Sequence, residues 1–100
     1  MAKELFTLSE RIKQLREHLG ITQAELARRL GLTRSSVNGW EMGFTVPSTA
    51  MIVELSKIFH VSSDYLLGLE EGIHINLDNL TEQEVSVLLN LLECFKANKK

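Results

Sequence analysis

Arg34, Ser35, Ser36 and Asn38 stand close together and are interleaved with Val37 and Trp40. On a helix, Val37 and Trp40 turn inward and the polar set faces out near the helix start. These side chains suit one chemistry. Arginine can grip O6 and N7 of guanine with two hydrogen bonds, and asparagine N6 and N7 of adenine, each pair discriminating by about 1–3 kcal/mol. Serine hydroxyls serve base or phosphate. Gln23 opens an upstream helix, where its amide and the free backbone N–H groups can hold a phosphate oxygen. Spacing alone leaves plainer readings open: Gln23 as a solvated first-turn residue, Arg34 as a surface charge. Arg28 and Arg29 are adjacent and are not expected to face the same partner, so at least one reads as plain surface.

Two neighbours need their own account. Gly39 lies inside the same helix, where glycine costs about 1 kcal/mol relative to alanine. It marks either a close approach, to DNA or to another backbone, or a neutral tolerated position. Glu41 sits at the helix end that disfavours an anion. A cation would offset that, and Arg16 is the candidate. Trp40 reads as core.

The elements that position these residues follow from apolar periodicity and caps. A first helix is expected from Ser9 to Leu19, with Ile12, Leu15 and Leu19 inward and Gly20 as its stop. Thr22-Gln-Ala-Glu25 forms a capping box for a second, with Leu26, Ala27 and Leu30 inward and Gly31 at its end. Thr33 caps the third, which runs to about Met42 before Gly43. Gly31-Leu32 is thus a tight turn between two helices, the arrangement in which the second helix enters the major groove and the first crosses the phosphate backbone. Ser48 caps a fourth helix facing Met51, Ile52, Leu55, Ile58 and Phe59 inward, and Ser62 a short fifth one ending at Gly68. The expectation is an all-α, five-helix DNA-binding domain over residues 1–68.

Composition agrees with a soluble globular chain: 44% hydrophobic, 24% charged, one Pro, six Gly. There is no transmembrane-length apolar run and no secretory leader, and the single cysteine, Cys94, suits a reducing cytoplasm. The net charge of −2 conceals an asymmetry. Residues 1–47 carry seven Lys/Arg against five Glu, while residues 48–100 carry four Lys against eight acids. Basic charge therefore gathers in the half that holds the candidate reading helix. The histidines His18, His60 and His74 have no ligand spacing, no nucleophile–base pair is visible, and neither a metal, a cofactor nor an enzyme is expected.

The stretch LGITQAELARRLGLTRSSVNGWEMG, then VPS, then IFHVSSDYLLG, closely resembles the phage-repressor and Cro-type helix-turn-helix family, often called the XRE family. The resemblance spans about residues 9–68. It implies a dimer on a palindromic operator in double-stranded DNA. Carried over by position, Gln23 resembles the family's phosphate-clamping glutamine, Arg34, Ser35 and Asn38 fall at base-reading positions, and Ser36 at a phosphate-facing one. Thr33 joins Gln23 and Ser36 as a phosphate contact, and Arg16 with Glu41 matches a buried ion pair. Two departures stand out: Met42 where a polar residue often meets phosphate, and Gly39 where some members read a base.

Residues 69–100 lie outside that resemblance. Glu70-Glu-Gly72 reads as a linker, and Ile73, Ile75 and Leu77 alternate with His74 and Asn76 as a strand or extended arm. Leu80-Thr81-Glu-Gln-Glu84 is a second capping box with Leu80 as staple. The helix after it carries Val85, Leu88, Leu89, Leu92 and Phe95, with Val87, Leu91 and Cys94 widening the apolar surface. Packing back on its own domain and a homodimer interface are both open. Dimerisation is preferred, because five helices already close a core and half-site recognition needs two copies. The whole reads as a transcriptional regulator, with repression as its expected mode, acting on an operator as a homodimer. The alternative is an antitoxin or regulator antagonist acting through protein contacts of the last helix.

Overall fold

Leu8, Ile12 and Leu15 repeat along one helical face. In the computed structural model, which describes residues 3–72 and 77–97 and side chains from Phe6 onward, that stripe belongs to a single helix, α1, Lys3–Leu19. It begins well before Ser9, the expected start. Leu8 is 2% exposed and sits in the core. Burying a leucine is worth about 1.5–3 kcal/mol, so packing carries the helix through Ser9. Leu19 was expected inside but is 44% exposed. It overshoots the core at the last turn, Gly20 turns the chain in the left-handed region at φ 78°, and Ile21 packs against the core instead.

Helix α2, Gln23–Leu30, is capped by Thr22, whose hydroxyl accepts from the Glu25 N–H at 3.0 Å. The expected box is only half formed. The Glu25 carboxylate turns forward to Arg28 (2.9 and 2.6 Å) and Arg29 (3.0 Å). Arg28 and Arg29 thus do share a partner, contrary to the expectation from their adjacency: three and four residues on from Glu25, they flank it on one helix face. The Arg28 and then the Arg29 hydrogen bonds hold the Glu25 carboxyl at about 2, below the ordinary 4.5. A value lower when folded means that this cluster supports the fold above pH 4.5 and loses that support as pH falls toward 2. An NMR titration of the Glu25 side-chain carbonyl should have its midpoint near 2. A midpoint in the ordinary carboxylate range would show that the arginines remain in solvent.

Thr33 caps α3, Arg34–Met42, and Gly43 ends it at φ 78°. Ser48 caps α4, Thr49–Phe59, and Ser62 caps α5, Ser63–Leu66. Thr81 caps α6, Glu82–Ala97, in a full reciprocal box: its hydroxyl accepts from the Glu84 N–H at 3.1 Å and the Glu84 carboxylate accepts from the Thr81 N–H at 2.9 Å. The fold is all-α, with no strand among the described residues. Residues 73–76, most of the expected arm, lie outside the described residues.

One core holds α1 to α5 together. Leu8 and Ile12 of α1, Leu26 and Ala27 of α2, Val37 and Trp40 of α3, Leu55 and Phe59 of α4, then Val61 and Leu66, are buried in it. α2 packs on α3, α1 lies across α3, α4 and α5, and α4 meets α5. The end of this unit is strapped to α1. The Arg11 guanidinium stacks 4.0 Å from the Tyr65 ring centroid and donates to the carbonyls of Tyr65 and Glu70, the latter at 3.1 Å. α6 differs from the other helices in burying no residue. It approaches the domain where Leu88, with Leu77 and Leu80 ahead of the helix, lines a groove with Phe59 and Val61.

Candidate nucleic-acid interface

The link between α2 and α3 is set by a glycine. Gly31 takes φ 71°, and its N–H and that of Leu32 return to the carbonyls of Arg28 and Ala27 at 3.2 and 2.9 Å. The chain thereby reverses within two residues. Leu26, Ala27, Val37 and Trp40 then fix the angle between the helices from beneath.

α3 consequently presents its opposite face outward. Arg34 and Ser35 are exposed at its first turn, and Ser36 and Asn38 are half-buried beside them. Arg34 has neither an ion pair nor a hydrogen bond among the described residues, so its guanidinium is available. The Thr33 hydroxyl caps the Ser36 N–H at 3.3 Å and lies 3.2 Å from the Ser36 hydroxyl. These two candidate phosphate contacts are therefore coupled.

Behind that face three helices meet on one carboxylate. Glu41 of α3, its side chain 2% exposed, accepts from Arg16 Nε at 2.6 Å and Nη2 at 3.0 Å, and from Gln23 Nε2 at 3.0 Å. Arg16 also donates to the Ile21 carbonyl at 2.8 Å. The Glu41 hydrogen bonds raise the Arg16 pKa, overcoming the desolvation that would lower it. Gln23 Nε2 donates in addition to Asn38 Oδ1 at 3.3 Å. The Gln23 amide is thus turned inward, toward Asn38, and away from solvent. The sequence placed Gln23 at the surface and did not foresee this link. Its signal was the shared inner edge of Gln23, Asn38 and Glu41 across the turn.

Gly39 also finds a cause. A Cβ there would stand 2.7 Å from Thr45 Oγ1, and the Gly39 carbonyl accepts from the Phe44 and Thr45 N–H groups at 2.9 and 3.3 Å. Of the two sequence readings, close approach holds, and the approaching group is the following loop. Met42, at the end of the same face, is exposed. Val85, Leu88, Leu89, Leu92 and Phe95 lie on α6, apart from this face; Val85 and Leu88 are half-covered and the other three exposed. Among the described residues, no group of three or more His, Cys, Asp or Glu could hold a metal ion, and no helix is long and apolar enough to cross a membrane.

Comparison with known proteins converges on this unit. A helix-turn-helix family model matches residues 12–66. The HTH-type transcriptional regulator ImmR of Bacillus subtilis is 30% identical over 87% of this chain and 68% of its own. Repressor protein C2 of Salmonella phage P22 is 37% identical over 60% of this chain and 28% of its own. A crystal structure of the P22 c2 repressor with a synthetic operator superimposes with a TM-score of 0.60 and 35% identity, covering 63% of this chain and 96% of that one.

Proposed function

The chain belongs to the helix-turn-helix family of phage-repressor type, and from that premise we propose that it is a repressor that binds a palindromic operator as a homodimer. The observation that carries the DNA-reading assignment is the outer face of α3, with Arg34 unpartnered among the described residues and Ser35 exposed beside Asn38. Arg34, Ser35 and Asn38 read base edges in the major groove. Thr33, Ser36 and the start of α2 at Gln23 hold phosphates, the last through backbone N–H groups that no helix carbonyl satisfies. The inward Gln23 amide orients Asn38, so Gln23 serves both functions. The homodimer reading rests on α6. A helix of this length that buries no residue is weakly held in water, and Val87, Leu89, Leu91, Leu92 and Phe95 are exposed along it. A second copy would cover them.

Selection from a random DNA pool tests the reading, and a palindrome with two half-sites is the expected product. Arg34→Ala should then weaken the selected operator by about 1–3 kcal/mol, roughly 5- to 150-fold, and relax one base position, while Gln23→Ala, which keeps the backbone N–H but releases the Asn38 amide, should weaken the operator more than non-specific DNA. If both variants bound the operator like wild type, the assignment of α3 would be lost. A pool that enriches nothing would instead favour an antagonist acting through α6.

A further inference from the structure

Gly39 removes one side chain from the reading face of α3, and the structure fills the place from elsewhere. Ser35 and Gly39 are one helical turn apart on the same face. Gly39 is nonetheless buried, because Thr45 from the following loop covers it: Thr45 Oγ1 and Cγ2 lie 2.7 and 3.8 Å from the position a Cβ would take. The two backbone hydrogen bonds to the Gly39 carbonyl hold the loop there. The result is an open cleft of about 530 Å³ lined by Ser35, Asn38 and Gly39 on one side and Phe44 and Thr45 on the other. Phe44 is 75% exposed although its neighbours across the cleft are polar. No ion pair or basic side chain lines the cleft, so it is poorly suited to a phosphate.

The geometry points to Thr45, with Phe44, as a specificity-determining residue that reads the 5-methyl group of a thymine beside the base pairs read by Ser35 and Asn38. Threonine methyl and phenylalanine are side chains that make apolar contact with that group in the major groove. Gly39 is required because any side chain there would displace Thr45. This inference rests on α3 lying in the groove, as proposed above.

The test uses the full chain and the selected operator, with each thymine replaced in turn by deoxyuridine, which deletes only the methyl. Wild type should lose about three- to fivefold in affinity at one thymine per half-site, the weight of one methyl taken out of water. Thr45→Ser, which keeps the hydroxyl and Phe44, should lose most of the discrimination between the thymine and uracil forms of that position. Thr45→Val, which keeps both branches and loses only the hydroxyl, should retain the discrimination. The inference is overturned if Thr45→Ser discriminates as wild type does, if no thymine is discriminated, or if Thr45→Val weakens all sequences alike, which would mark a phosphate contact. Failure to enrich any operator would instead remove the groove-binding premise.

Discussion

Arg16→Met should lower the free energy of unfolding by about 3–5 kcal/mol, the cost of leaving one member of a buried pair without the other. Among the described residues Glu41 would retain only Gln23 as a donor, in a site where its side chain is 2% exposed and at the helix end that disfavours an anion. Two further facts place the loss at this scale and not at that of a surface pair, about 0–1 kcal/mol. The Arg16 side chain is only 12% exposed, and it closes a second hydrogen bond onto the turn at Ile21. Changing both residues, Arg16→Met with Glu41→Leu, should recover most of the stability, since no unpaired charge remains. Urea unfolding of the single and double variants measures this directly. A single-variant loss below about 1 kcal/mol would mean that solvent reaches the pair.

The second large effect concerns the C-terminal helix. Ending the chain after Gly72, which leaves the Arg11 strap on Glu70 in place, should convert a dimer into a monomer in sedimentation. Affinity for a two-half-site operator should fall by about 10²–10⁴-fold, because the second contact is no longer intramolecular, while binding to an isolated half-site should persist. The paired change Leu89→Asp and Leu92→Asp should do the same in the full chain. Both side chains are more than half exposed, so the unpaired fold has little to lose from it. An unchanged sedimentation mass in either variant removes α6 as the dimer contact.

Signals confined to a few residues were legible in the sequence. Thr22, Thr33, Ser48, Ser62 and Thr81 cap helices where their spacing says they should, and Gly31 and Gly43 end them in the left-handed region. Trp40 is buried and Arg34 exposed for reasons of periodicity alone. What escaped depends on distant packing. Leu8 joins the core from before the expected start at Ser9, and Leu19 leaves it. Glu25 meets the arginines ahead of it in preference to the N–H behind it, because three bonds to two cations outweigh one to a backbone N–H. Gly39 announced a close approach, but not that the approaching residue would be Thr45. At the candidate site, outward residue types could be read from spacing, whereas the inward turn of Gln23 could not, since it needs α1, α2 and α3 assembled around Glu41.

That shared carboxylate has a consequence for the DNA. With α1, α2 and α3 tied at one point and packed on one core, the reading surface has little freedom to reshape itself around an imperfect target. In a complex of such a head with a duplex, the softer partner is the duplex. Any misfit is then taken up by bending, twisting or a change in groove width, at an energy that depends on the base steps deformed. In the proposed complex on two half-sites, base pairs that no side chain touches, above all those between the half-sites, would thereby enter the recognition through their stiffness.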